Sequence, residues 1–470
     1  MATRPRVAVI PTARATFATD AARERTHAAR ELLAELGADV VGPTELVLTP
    51  QDAESAAAHL DPAPDVVINV CASFSDAGPA QRLYGELDRP VLLWAFREPG
   101  PVGDRLWLNS LCAANLFGHA LVRAGGRARL LYGDPDEQGV REALAGVLAG
   151  SPPDAPELPS AQRERADRNQ ARQALATLRG RRIGLIGDAP PGFTPCEYDQ
   201  ELVRRLFGIE VVQLTIDEAL TVARAVTEAE RDEELRTAIA DRPTLRRLDP
   251  AHVELAAAVT SALRAWTARE ALAGLAVRCW PEFPTELGVC PCSSLSRLAD
   301  AGIPTACERD VYGAITMLLL EALGSGTTYL VDTVDLDTEQ NLVRAWHCGS
   351  AATSLAADPR RATQSVHCNR KIGVVGDFPL KTGPVMLARL AEQPGAPGGL
   401  RLLIASGESV PEPNRFQGNT AAIRLDADAE TFMHGLVAGG FPHHTVLAWT
   451  DVRPRLRTAA DLLGIPVVEW

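Results

Sequence analysis

The 470-residue chain has no run of about 18 consecutive apolar residues, so nothing in it reads as a membrane-spanning helix. Its first residues, Met-Ala-Thr-Arg-Pro-Arg-Val-Ala-Val-Ile, lack a long apolar core and a cleavage site, and no secretory leader is expected. Long basic blocks are missing too. The Arg-rich stretch Arg163 to Arg172 is interleaved with Asp, Glu and Gln and reads as a solvated helix face. With a formal net charge of −13 and a pI near 5.3, the chain disfavours nucleic acid and anionic membranes as partners. No G-x-G-x-x-G and no P-loop Gly-Lys-Ser/Thr follows the strand-like Gly184-Leu-Ile-Gly187, which argues against a dinucleotide or ATP site there. The absence of a G-x-S-x-G elbow weakens a hydrolase reading. The nine cysteines are odd in number and scattered, as expected of free thiols in a reducing cytoplasm. Cys290-Pro-Cys292, with Cys279 and Cys307, lacks the paired C-x₂-C spacing of a structural zinc site. No internal repeat or low-complexity tract is visible.

What is present is a globular composition, 46% hydrophobic and 23% charged, and an alternation of strand and helix signals. Val7–Ile10, Val40-Val41, Asp65–Val70, Val91–Phe96 and Ala128–Tyr132 are short apolar runs. Helical patterns lie between most of them, notably Leu111–Arg123 and Glu137–Leu148. That order predicts a parallel sheet covered on both faces. Ser151-Pro-Pro-Asp-Ala-Pro-Glu-Leu-Pro159 is a linker that no regular element can cross, because each proline fixes φ and removes a donor. The pattern then restarts, with strands at Arg182–Gly187, Ile209–Leu214, Leu275–Trp280, Pro304–Cys307 and Thr327–Asp332. Beyond about residue 350, β-type runs such as Lys371–Phe378 and Thr420–Leu425 are joined by Gly- and Pro-containing turns, as in an antiparallel sheet or small barrel. The expected fold class is α/β: two doubly wound parallel-sheet domains over 1–155 and 160–350, then a mainly antiparallel β domain over 351–470.

Three features carry chemistry. Glu308, in Cys307-Glu-Arg-Asp310, and Asp332, in Tyr329-Leu-Val-Asp, are expected at the carboxyl ends of strands, where open α/β sheets bind ligands. Phe441-Pro-His443-His444 precedes another apolar strand. Two carboxylates and an imidazole suit a divalent cation with open positions for water and hydroxyls. Ordinary roles fit the same residues: a helix N-cap for Asp310, a surface turn for Asp332 and for the His pair, a packed histidine for His347 beside Trp346. The loop Ile10-Pro-Thr-Ala-Arg14-Ala-Thr-Phe17 suits a polyhydroxylated ligand or a plain βα connection equally. Arg14, Arg278, Arg309, Lys381 and Arg415 leave an anionic ligand open.

Taken together, Arg278-Cys-Trp-Pro-Glu282, Pro291-Cys292, Ala306-Cys-Glu-Arg-Asp310, Val331-Asp332, His347-Cys-Gly349, Lys381-Thr-Gly-Pro-Val385 and His443-His444 resemble, in order and spacing, the fucose isomerase-like branch of the L-fucose isomerase and L-arabinose isomerase superfamily. The resemblance runs across nearly the whole chain. It implies an aldose–ketose isomerase that works through a cis-enediol on a monosaccharide. It implies Mn²⁺ or another divalent cation held by Glu308, Asp332 and His444, with Glu308 and Asp332 moving the proton and Glu308 favoured as the base. It implies substrate contacts from Arg14, His443, His347 and Trp280. Homo-oligomers, trimers or hexamers, in the cytoplasm are the implied assembly, with a neighbouring subunit's N-terminal domain completing each site. His443 stands where some fucose isomerases carry asparagine, which leaves the sugar open. Two rival classes are a non-catalytic sugar-binding protein and a metal-dependent lyase or epimerase using the same enediolate.

Overall fold

The computed structural model describes residues 4–470 apart from Gly85, Glu86, Asp88 and Pro394. The leader reading at residues 1–3, and the first three residues of the expected N-terminal unit, lie outside the described residues. The first sheet contains β1 (Arg6–Thr12), β2 (Asp39–Val41), β3 (Val66–Cys71), β4 (Val91–Ala95) and β5 (Ala128–Tyr132), in the order β2-β1-β3-β4-β5. All its pairings are parallel. The continuous apolar run Val7-Ala-Val-Ile10 is wholly buried because helices cover both faces of the sheet. Strand order reverses between β1 and β3. The crevice at such a reversal is where doubly wound sheets bind ligands. The loops leaving β1 and β3 carry Arg14 and Phe74 into it, tied together where Arg14 N donates to Ser73 Oγ at 3.1 Å.

A second, four-stranded parallel sheet contains β6 (Arg182–Ile186), β7 (Glu210–Leu214), β8 (Leu272–Val277) and β9 (Thr305–Cys307), ordered β7-β6-β8-β9. The carboxyl ends of β8 and β9 deliver Trp280 and Glu308. Between β7 and β8 the chain forms three α-helices, Ile216–Arg224, Glu228–Asp241 and Pro250–Arg269. Capping boxes at Thr215/Glu218 and Thr227/Glu230 start the first two, and Pro250 starts the third.

The remaining strands are β10 (Tyr329–Asp337), β11 (Leu342–His347), β12 (Thr363–Val366), β13 (Gly373–Pro379), β14 (Gly383–Glu392), β15 (Leu400–Val410), β16 (Asn419–Leu425), β17 (His444–Ala448) and β18 (Val467–Glu469). They form one mixed, mostly antiparallel sheet ordered β12-β13-β16-β11-β10-β17-β14-β15-β18. β15 also pairs with β16, which closes β16-β11-β10-β17-β14-β15 into a barrel and leaves those strands no free edge. Where β15 passes onto β16, a Cβ on Gly407 would lie 2.1 Å from the Arg424 carbonyl oxygen, so only glycine fits that corner. Asp332 and His347 therefore belong to the barrel and not to the second parallel sheet. Asp332 sits in mid-strand, paired with His444 on one side and Trp346 on the other.

The helix Ser110–Arg123 is buried along almost its whole length between the first sheet and the barrel. Gly118 lets it approach the helix Ala429–Gly439 closely, since a Cβ there would meet Val437 O at 2.8 Å. This packing fixes Asn109 and Cys112 beside Asp332. No helix among the described residues is long and apolar enough to cross a membrane.

Candidate metal centre and substrate cleft

Glu308 follows β9 with φ of 58°, and Arg309 follows it with φ of 66°. Two successive non-glycine residues in the left-handed region cost on the order of 1–3 kcal/mol each. Hydrogen bonds hold them there. Arg309 N donates to Val277 O at 3.0 Å, and the Arg309 guanidinium donates to Gly187 O at 2.7 Å and Cys196 O at 2.8 Å. The turn aims the Glu308 carboxylate at the barrel. Its Oε1 accepts from Trp280 Nε1 at 3.0 Å. Its Oε2 lies 3.4 Å from His444 Nε2 and 3.7 Å from His443 Nε2. Asp332 Oδ1 lies 3.5 Å from His444 Nε2 and 3.9 Å from His443 Nε2.

These separations are too long for good hydrogen bonds. Among the described residues, Asp332 Oδ1, His444 Nε2, both ring nitrogens of His443 and His347 Nε2 are buried without a hydrogen-bond partner. Buried polar atoms ordinarily have partners. Donor atoms that share a cation at roughly 2.0–2.3 Å stand on the order of 3 Å apart. The orphaned oxygen and nitrogen atoms at 3.4–3.9 Å therefore fit a divalent cation between them. Among the described residues, three groups of ligand atoms converge: Glu308/His443/His444, Asp332/His347/His444 and Cys112/Asp332/His443. None includes Cys279, Cys290, Cys292 or Cys307.

The electrostatics follow from burial and from these neighbours. Burial alone would raise the Glu308 carboxyl, but His443 and His444 outweigh it and hold the group well below its usual range. Asp332 is pushed up to about 7 by burial and the Glu308 charge, against the pull of His444. Burial lowers His443 and His347 to about 4, so both are neutral at pH 7. His444 goes the other way. Burial would lower it, but the contacts with Asp310 and Glu308 raise it to about 10. The proton on its Nε2 is the one a cation would replace.

Asp310 fixes that histidine. His444 Nδ1 donates to Asp310 Oδ2 at 2.8 Å. Asp310 also caps the helix Val311–Ala322 through Gly313 N at 2.7 Å. Arg389 binds both Asp310 oxygens, one of them at 3.0 Å. Against the effect of burial, Arg389 and His444 keep Asp310 far below the carboxylate range. The cap expected of Asp310 is present, and the carboxylate has a second duty that no local pattern announces.

A cleft of about 310 Å³ opens beside Glu308 and Asp332, lined among others by Arg14, Phe74, Asn109, Trp280, His367 and Arg370. The Arg14 guanidinium carbon lies 4.7 Å from the centre of the Trp280 ring, so this chain's own N-terminal sheet already reaches the site. Trp346 also lines the cleft, and His347 stacks against it with an interplanar angle of 12° and accepts from Cys348 N at 2.9 Å. The other cations noted in the sequence are engaged elsewhere: Arg278 with Glu282, Arg309 with backbone carbonyls, Lys381 over Trp449 and Arg415 over Phe416. Sequence reasoning missed Cys112, Asn109, Arg389 and Arg370. The first two sit in or beside an apolar helix that reads as core, and the last two gain meaning only through distant partners.

Two carboxylates and a buried imidazole cluster meet where two parallel sheets adjoin a barrel, in a geometry that could hold a divalent cation. Comparison with known proteins narrows the class. Residues 345–470 match the family model described as L-fucose isomerase, C-terminal domain. The sulfoquinovose isomerase of Alkalicoccus urumqiensis is 35% identical over 464 residues, covering 98% of this chain and 99% of the relative. Those of Priestia aryabhattai and Clostridium sp. (strain MSTE9) are each 30% identical, over 98% of both chains. The chain belongs to the fucose isomerase-like superfamily, and it is a sugar isomerase.

Proposed function

We propose that this protein interconverts sulfoquinovose, a 6-deoxyhexose with a sulfonate on its terminal carbon, and the corresponding 2-ketose. The observation that carries the isomerase chemistry is the set of buried, unpartnered donor atoms of Asp332, His443 and His444 facing Glu308 Oε2. The three full-length relatives support the choice of sugar.

Glu308, Asp332 and His444 would hold the cation, with His443 and His347 beside it. A divalent cation bound there would draw electron density from the carbonyl and the adjacent hydroxyl of the open-chain sugar, and so acidify the C–H between them. The chain's own groups do the rest. Glu308, kept ionised and steered by Trp280 Nε1, takes the proton from C2, exchanges it with water during the life of the cis-enediol, and delivers a proton to C1 on the same face. Asp332 is its partner, accepting and releasing the hydroxyl proton. Neutral His443 contacts the sugar hydroxyls.

Mn²⁺ suits a donor set that is mainly carboxylate with imidazole. A cytoplasmic homo-oligomer, trimer or hexamer, in which a neighbouring subunit adds to the cleft, fits nine free cysteines and the family resemblance. The test is incubation with sulfoquinovose and Mn²⁺, with and without chelator, followed by NMR. Metal-dependent formation of the 2-ketose supports the proposal. Formation of an epimer or a cleavage product would support the rival lyase or epimerase. Binding without turnover would support a binding protein.

A further inference from the structure

The cleft carries charge of both signs: it is lined by the carboxylates of Glu308 and Asp332 and by the guanidinium groups of Arg14 and Arg370. Trp280 touches both sets. Its Nε1 binds Glu308, and its ring lies 4.7 Å from the Arg14 guanidinium carbon and 5.7 Å from that of Arg370.

Arg370 has no ion pair among the described residues, and Arg14 has only a long one, to Asp76. Among the described residues, neither donates a side-chain hydrogen bond, and the nearest carboxylate to Arg14, Asp76, is 3.9 Å away. Arg14 is largely buried, with 29% of its side chain exposed, and the charge of Arg370 works against its own. Two like charges flanking one ring without an anion between them are an arrangement that an anion would complete.

Both arginines come from fixed backbone. Arg14 N is bound to Ser73 Oγ at 3.1 Å and Arg14 O accepts from Phe17 N at 3.1 Å. Arg370 lies in the turn of the β12–β13 hairpin, closed by His367 N donating to Ile372 O and Lys371 N donating to His367 O, both at 2.9 Å. The turn is docked on the N-terminal unit where Arg105 donates to Asn369 Oδ1 at 3.3 Å. Thr16, Thr285 and Asn369 add polar groups to the same wall.

We infer that Arg370 and Arg14 form an anion clamp for a tetrahedral acid group on the terminal carbon of the sugar, and that Arg370 selects such sugars over neutral ones. A sugar whose carbonyl end lies against Glu308 and Asp332 must turn its other end along Trp280 toward the arginines. A chain with a net charge of −13 repels anions at long range, so capture of an anionic sugar requires local cations of this kind. The clamp rests on the sugar isomerase reading, and it accepts sulfonate or phosphate oxygens by the same chemistry.

The test is calorimetric binding to the full-length, chelator-treated protein of sulfoquinovose, glucose 6-phosphate and neutral 6-deoxyglucose, for wild type, Arg370→Met and Arg370→Lys. Loss of a charge-assisted contact predicts that Arg370→Met weakens binding of the anionic sugars about 10- to 100-fold. Arg370→Lys should fall between, and the neutral sugar should not distinguish the three proteins. Unchanged sulfoquinovose affinity in Arg370→Met, equal loss for the neutral sugar, or failure of wild type to bind either anion would overturn the clamp. Wild type that prefers glucose 6-phosphate, with the same dependence on Arg370, would sustain the clamp and overturn sulfoquinovose as the substrate.

Discussion

Asp310→Asn should separate what holds the metal histidine from what holds the helix. Asparagine is as good an N-cap as aspartate, so the bond to Gly313 N at 2.7 Å can persist. What disappears is the negative charge that accepts from His444 Nδ1 at 2.8 Å and faces Arg389. The outer partner of a metal-ligating histidine typically contributes about 10- to 100-fold in metal affinity, and that is the expected loss. Asp310 is 0% exposed and the Arg389 side chain 1%, so the stranded guanidinium should cost about 3–5 kcal/mol of stability. The double variant Asp310→Asn/Arg389→Met removes both charges. It should recover much of the stability and none of the metal affinity. Competition with graded chelators, read by metal analysis, gives the affinity, and urea unfolding gives the stability. Wild-type metal affinity in Asp310→Asn, or its full return in the double variant, would refute the assignment of Asp310 as the group that orients His444.

Further expectations concern the site and a buried acid. Glu308→Gln keeps the bond from Trp280 and should lower turnover about 10²- to 10⁴-fold with unfolding unchanged; near-normal turnover would remove Glu308 as the base. His444→Ala should lower bound metal after dialysis, with the Glu308 and Asp332 carboxylates still present. Glu98 is pushed up to about 7 by burial, against the N–H donors of Asn109, Trp107 and Leu108, from an ordinary value of 4.5. Its folded value is the higher one, so its contribution is present below about pH 4.5 and is lost as pH rises through about 7. Glu98 should account for up to about 3 kcal/mol of the fall in stability over that window, and Glu98→Gln should remove that part of the slope while the part from Asp332 remains.

The alternation of strand and helix was legible because parallel strands covered on both faces must be continuously apolar, as Val7–Ile10 and Val91–Ala95 are. Glu308 and the His443-His444 pair were legible because polar residues next to apolar strands need a reason. The sheet that holds Asp332 was not. Tyr329–Asp337 is an ordinary strand locally, and only its register against His444 and Trp346 assigns it to the barrel. The strand Gly383–Glu392 contains Met-Leu-Ala-Arg-Leu-Ala-Glu, good helix formers, and pairing with Leu400–Val410 overrides that preference. Arg370 lies in a polar turn without periodicity, and its place over Trp280 depends on how the β12–β13 hairpin docks. A clamp assembled from residues 14, 280 and 370 leaves no mark on any short window of sequence.

Proton transfer at C2 of a sulfonated sugar can be read from turnover of sulfoquinovose in D₂O with Mn²⁺, followed by mass spectrometry. The expected result is uptake of a single carbon-bound deuterium that chelator abolishes and Glu308→Gln suppresses. Conversion to the ketose with no deuterium uptake, or uptake that persists in chelator, would contradict it.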